Sequence, residues 1–147
     1  MIKNIVLVHG AWADGSGWES VHNILTEKGF NVTAVPNPNT SLADDANITT
    51  AVLSQQNGPA AKARFMADSQ VPVGLAAFSS DLTAAAWKAK KSWYIVATED
   101  KMIPPDVERS MAKRANAVVT EIKASHAVYI SHAAEVARVI EQAAASA

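Results

Sequence analysis

Ile5-Val6-Leu7-Val8-His9-Gly10 opens with four apolar residues and is stopped by a histidine and a glycine. A short run of branched side chains with no polar alternation suits a strand covered on both faces, as in a parallel sheet. Trp93-Tyr94-Ile95-Val96-Ala97 has the same character and ends at Thr98-Glu99-Asp100. Asn31 to Val35 alternates and is halted by Pro36-Asn37-Pro38-Asn39. Val118-Val119-Thr120-Glu121-Ile122 supplies a fourth strand.

Helical spacing fills the intervals. Trp18, Val21 and Leu25 fall on one face, and Gly29 stands where a C-terminal cap belongs. Ser41-Leu42-Ala43-Asp44 has the form of a capping box and predicts a helix to about Gln56, ended by Asn57-Gly58-Pro59. Ala61 to Asp68 and Thr83 to Ala89 read as further helices, and Val71 to Phe78 is apolar but broken by Pro72 and Gly74. Pro104-Pro105 starts a helix through about Ala115. Val136, Val139, Ile140 and Ala143 share one face of the last helix. Strand-helix alternation predicts an α/β fold, a doubly wound parallel sheet with flanking helices.

Composition narrows the function. The chain has 147 residues, 49% of them apolar and 18% charged, which predicts a single folded domain over 1–147. Its net charge of −1 offers no overall basic field for nucleic acid or an anionic membrane. The absence of cysteine excludes a disulfide framework, a thiolate metal site and a cysteine nucleophile. No secretory leader and no membrane-length apolar run is legible, so the expected location is cytoplasmic.

In an open parallel sheet, ligands bind at the carboxyl ends of the strands. His9, Asp100, Ser125 and His126 are expected there. An Asp and a His at successive strand ends can pair, the carboxylate holding one ring nitrogen and leaving the other as a general base. Ser125 and Ser79-Ser80 are the serines nearest such an edge, but an extended segment turns Ser125 away from His126. His9 reads as a packing residue, and His22 and His132 as helix-surface residues. The histidines lack metal-ligand spacing, so no metal site is expected. Lys88, Lys90 and Lys91 resemble an anion patch, against the plainer reading of a solvated loop. Trp12, Trp18, Trp87 and Trp93 read as packing rather than as a platform for bases.

These segments carry a family resemblance over nearly the whole chain. Val8-His9-Gly10-Ala11-Trp12 with Asp14-Gly15-Ser16-Gly17-Trp18 resembles the start of α/β-hydrolases of the esterase and hydroxynitrile-lyase type. Trp93 to Pro105 resembles the segment with the triad acid, and Ser125-His126-Ala127-Val128-Tyr129 the segment with the triad histidine. The resemblance implies that Asp100 is the triad acid, His126 the general base and the Ala11 backbone N–H an oxyanion donor. It places Gly10 and Trp12 at the substrate pocket.

One family feature is missing. The serine nucleophile of such enzymes sits in a Gly-x-Ser-x-Gly turn, and this chain has none. Gly15-Ser16-Gly17 has neither that spacing nor a strand before it. The resemblance therefore implies an α/β-hydrolase without its central strand, nucleophile elbow and much of its cap, with the junction near 59–61. The remaining four strands would take the spatial order 2-1-3-4. The implied function is weak or absent hydrolysis of small uncharged esters, with no cofactor. The other reading is a non-catalytic module that binds a small apolar ligand or forms a homodimer through the cut sheet.

Overall fold

The structure, a computed structural model, describes residues 2–10, 13–54, 74, 76 and 85–146. They belong to two compact units, Lys3–Asp81 and Leu82–Ala147 with Met1–Ile2. Each is built on a parallel strand pair with a helix in the crossover, the connection that parallel pairing requires.

In the Lys3–Asp81 unit, β1 (Asn4–Val8) pairs with β2 (Asn31–Val35), from Asn4 opposite Asn31 to Val8 opposite Val35. The crossover begins with a 3-10 turn over Gly15–Trp18 and continues as α1 (Glu19–Glu27). Val21 and Leu25 of α1 are fully buried with Val35, beside Leu7 and Val32. The end of α1 is fixed by Gly29 at φ +81°, a backbone conformation that costs glycine little. Phe30 N–H donates to Leu25 O at 3.1 Å and Gly29 N–H to Thr26 O at 2.9 Å, which closes a Schellman cap. The α2 helix (Leu42–Ser54) starts as the sequence predicts. Asp44 N–H donates to Ser41 Oγ at 3.1 Å, and that hydroxyl donates to Asp44 Oδ2 at 2.8 Å. Gly74 is required by close approach: a Cβ there would lie 2.2 Å from Thr40 O.

In the second unit, β3 (Trp93–Ala97) pairs with β4 (Val118–Ile122), from Trp93 opposite Val118 to Ala97 opposite Ile122. The crossover is α3 (Pro105–Arg114), and a short helix α4 (Val128–Ser131) leads into α5 (Ala133–Ser146). Val136, Ala137, Val139 and Ala144 of α5 are buried with Val96, Ala97 and Ala112. Arg109 of α3 reaches Glu121 of β4 through two contacts, Nε–Oε1 at 2.8 Å and Nη2–Oε2 at 2.9 Å.

All four predicted strands form. The ladders among the described residues are β1–β2 in one unit and β3–β4 in the other, the 2-1 and 3-4 neighbours of the predicted order. Cover on both faces is incomplete for β1: Leu7 is buried and Val8 is 42% exposed. The expected helix over 61–68, most of 71–78 and the junction near 59–61 lie outside the described residues. Of the helix expected over 83–89, the described part is a 3-10 turn at Ala86–Lys88. No helix among the described residues is long and apolar enough to cross a membrane.

Candidate active site

The carboxyl end of β3 delivers Asp100. The chain leaves the strand with its pairing to the β4 side continued: Thr98 N–H donates to Ile122 O at 2.9 Å and Glu99 N–H to Ala124 O at 3.0 Å. Those two bonds lay the 124–126 segment alongside 99–100. Asp100 then caps its own turn, with Oδ1 accepting the N–H groups of Met102 at 2.7 Å and Ile103 at 3.1 Å. Oδ2 is left to face His126, whose Nδ1 lies 2.7 Å away.

This geometry assigns the imidazole tautomer. The Asp100 side chain is fully buried, and burial pushes its carboxyl up. The hydrogen bond from His126 and the N–H groups of Ile103 and Met102 outweigh that and hold it below the ordinary carboxylate range. An ionised carboxylate only accepts, so Nδ1 carries the proton and donates. In the neutral ring Nε2 then has its lone pair, and the ring is 45% exposed. A histidine held in this way can serve as an oriented base.

Glu108 of α3 stands behind the pair, and the sequence reading missed it. It is 6% exposed, and its Oε2 accepts the N–H of Ala97, the last residue of β3, at 2.8 Å. Burial pushes its carboxyl up and the Ala97 N–H opposes this. The neighbouring Asp100 carboxylate adds to the rise, while the charge of His126 opposes it. Of two neighbouring carboxyls, Asp100 is therefore held low and Glu108 is pushed up. Burial also pushes the Tyr94 phenol up, and the charges of Glu108 and Asp100 push it further. A signal for Glu108 exists in retrospect. Glu108, Met111, Ala112 and Ala115 recur at i, i+3, i+4 and i+7, so a carboxyl falls on the apolar stripe of its helix.

Ala11 and Trp12 lie outside the described residues, as do Ser79 and Ser80. Gly10 follows β1 and is exposed; a Cβ there would meet nothing within 4 Å. His9 is 9% exposed, with Nδ1 3.1 Å from Gly10 O. Ser16 is held by Asp14, whose Oδ1 accepts its backbone N–H at 2.8 Å and its hydroxyl, so Gly15-Ser16-Gly17 is a capped turn. Ser125 is exposed. Ser131 Oγ lies 2.9 Å from His132 Nδ1 on the surface, and no carboxylate among the described residues pairs with that ring. Among the described residues no cluster of three metal-ligating side chains occurs.

Comparison with known proteins supports the same family. Residues 38–139 match the model of the alpha/beta hydrolase family. The structure is similar to that of a PytH variant, with TM-score 0.80 and 13% identity over 98% of each chain. It is also similar to a pyrethroid hydrolase from Sphingobium faniae JZ-2, with TM-score 0.75 and 15% identity over 98% of each chain. The sequence has no match among curated proteins. With the family match spanning most of its length, and a fold shared with those structures, the chain belongs to the alpha/beta hydrolase family.

Proposed function

We propose that this chain is a carboxylic-ester-hydrolase-like protein that keeps the triad acid, Asp100, and base, His126, but lacks the serine nucleophile elbow, so that ester hydrolysis is weak or absent. The observation that carries the reading is the 2.7 Å contact between a buried, ionised Asp100 and an exposed His126. The absence of any Gly-x-Ser-x-Gly turn from the sequence supports the second half. The hydrolase neighbours and the family match support the hydrolase class.

Residual chemistry uses water in place of the serine. His126 Nε2 takes a proton from water as its oxygen bonds to the ester carbonyl carbon. Collapse of the tetrahedral species breaks the bond to the alkoxide, which recovers the proton from His126. Asp100 keeps Nδ1 protonated throughout. Loss of a serine nucleophile costs on the order of 10⁶ in turnover, and that sets the expected deficit.

The test is fluorophosphonate labelling of the folded chain, read by intact mass, beside p-nitrophenyl acetate turnover. The expected result is no adduct and slow turnover that disappears in His126→Ala. A single serine adduct abolished in His126→Ala overturns the proposal, because a nucleophile is then present.

A second reading, a non-catalytic module that binds a small apolar ligand or dimerises, is favoured by β4. Val118 and Val119 are 48% and 45% exposed, and among the described residues β4 pairs only with β3. An open edge with apolar side chains is a template for strand pairing between copies. Ligand-dependent stabilisation without turnover, or a dimer by light scattering, would move the balance to this reading.

A further inference from the structure

The amino-terminal end of the β3–β4 pair carries a cavity that the hydrolase reading does not use. It has a volume of about 490 Å³ and is lined by Trp87, Lys88, Lys90, Lys91, Arg114 and Asn116, with two alanines. The Asp100–His126 pair lies at the other end of the same strands, roughly 15 Å of strand length away.

The charge is of one sign. Three ammonium groups and one guanidinium line the cavity, and no carboxylate does. None of the four makes an ion pair among the described residues. Such a concentration is conspicuous in a chain with a net charge of −1. Like charges in a shared concavity repel, and the shape focuses their field.

Local structure organises these cations without neutralising them. Lys88 Nζ and the Arg114 guanidinium lie 5.6 and 5.8 Å from the Trp87 ring centre, and Lys91 Nζ lies 4.9 Å from that of Trp93. Arg114 is also not consumed in capping α3. Asn116, at φ +49°, donates its N–H to Lys113 O at 3.0 Å, and Ala117 N–H reaches Ala112 O at 3.0 Å, so backbone satisfies those carbonyls.

We propose that this cavity is a binding site for a multiply charged, phosphate-bearing small molecule. The volume is that of a small-molecule site. A monoanion would leave most of the positive charge unmatched, whereas a chain of phosphates carries several charges within a few ångströms. Lysine ammonium groups serve phosphate as point charges and the arginine fork adds paired donors.

The test uses inorganic tripolyphosphate as the probe, titrated into the full-length ¹⁵N-labelled chain at about 150 mM salt, where exposed long-range attraction is screened. The expected result is saturable shifts confined to residues 87–91, 114–116 and the Trp87 indole. Citrate should bind about tenfold more weakly, and Lys91→Gln/Arg114→Gln should weaken tripolyphosphate binding about tenfold. Lys90→Gln, outside the ring contacts, gives the same reading should the double variant lose its dispersed spectrum; it should weaken binding severalfold. Shifts that never saturate, citrate binding as tight as tripolyphosphate, or unchanged affinity in the folded variant would each overturn the proposal. None of these outcomes depends on ester turnover.

Discussion

Replacing Glu108 tests the two-carboxyl arrangement behind His126. Glu108 accepts the Ala97 N–H at 2.8 Å, feels the Asp100 charge, and is 6% exposed. A protonated glutamic acid and a glutamine have nearly the same shape and the same bonding capacity here. In Glu108→Gln the amide oxygen can accept from Ala97 and the amide nitrogen can donate to Asp100. Glu108→Leu fills similar space but leaves a buried strand N–H without an acceptor, which costs about 1–3 kcal/mol. For a chain of this length that is a loss of roughly 3–15 °C in melting temperature. Glu108→Gln should stay within about 1 kcal/mol of the parent at acidic pH. The pH dependence separates the two carboxyls. A raised carboxyl contributes its full stability below its ordinary unfolded value, near 4.5, and loses it as pH rises through the folded value. Asp100, held low, does the opposite: its contribution is present above about 3.8 and is lost as pH falls through its lowered folded value. Glutamine does not titrate, so Glu108→Gln should gain on the parent as pH rises above 4.5. Urea unfolding followed by tryptophan fluorescence at several pH values measures all of this. If glutamine is as damaging as leucine, or the parent and Glu108→Gln curves run parallel with pH, Glu108 is not a carboxyl pushed up beside Asp100.

Three further outcomes are expected. In Asp100→Asn the one carbonyl oxygen goes to the Met102 and Ile103 N–H groups, the amide NH₂ turns to His126, and Nδ1 becomes an acceptor. Long-range ¹H–¹⁵N spectra should then place the ring proton on Nε2; a proton still on Nδ1 would contradict the geometry. Gly29→Ala should cost about 1–2 kcal/mol because φ is +81° there, while Gly10→Ala, with open space around it, should cost under about 0.5 kcal/mol. Equal costs in denaturant titrations would sink that contrast. Ser41→Ala should lose about 1 kcal/mol through the α2 cap, checked by the shift in urea midpoint.

What the sequence alone determined was local. Four apolar runs became β1 to β4, Gly29 closed α1, Ser41 and Asp44 opened α2, and Pro105 began α3. Each depends on neighbours a few residues apart, which is what periodicity and capping report. The Asp100–His126 pair was also legible, because both residues follow strands and a parallel pair brings its carboxyl ends together. The β1–β2 and β3–β4 ladders were legible as well, because each parallel pair closes over a single crossover helix. Glu108 was hidden. Along the chain it is one acidic residue in a charged helix, and only the seating of α3 on β3 places its carboxyl on Ala97 and beside Asp100. Arg114 joined Lys88, Lys90 and Lys91 in the same way, through the tertiary approach of the end of α3 to the turn before β3. Burial and charge neighbourhood are properties of packed surfaces, so tertiary structure decided which carboxyl is pushed up, which is held low, and where the positive charge is concentrated.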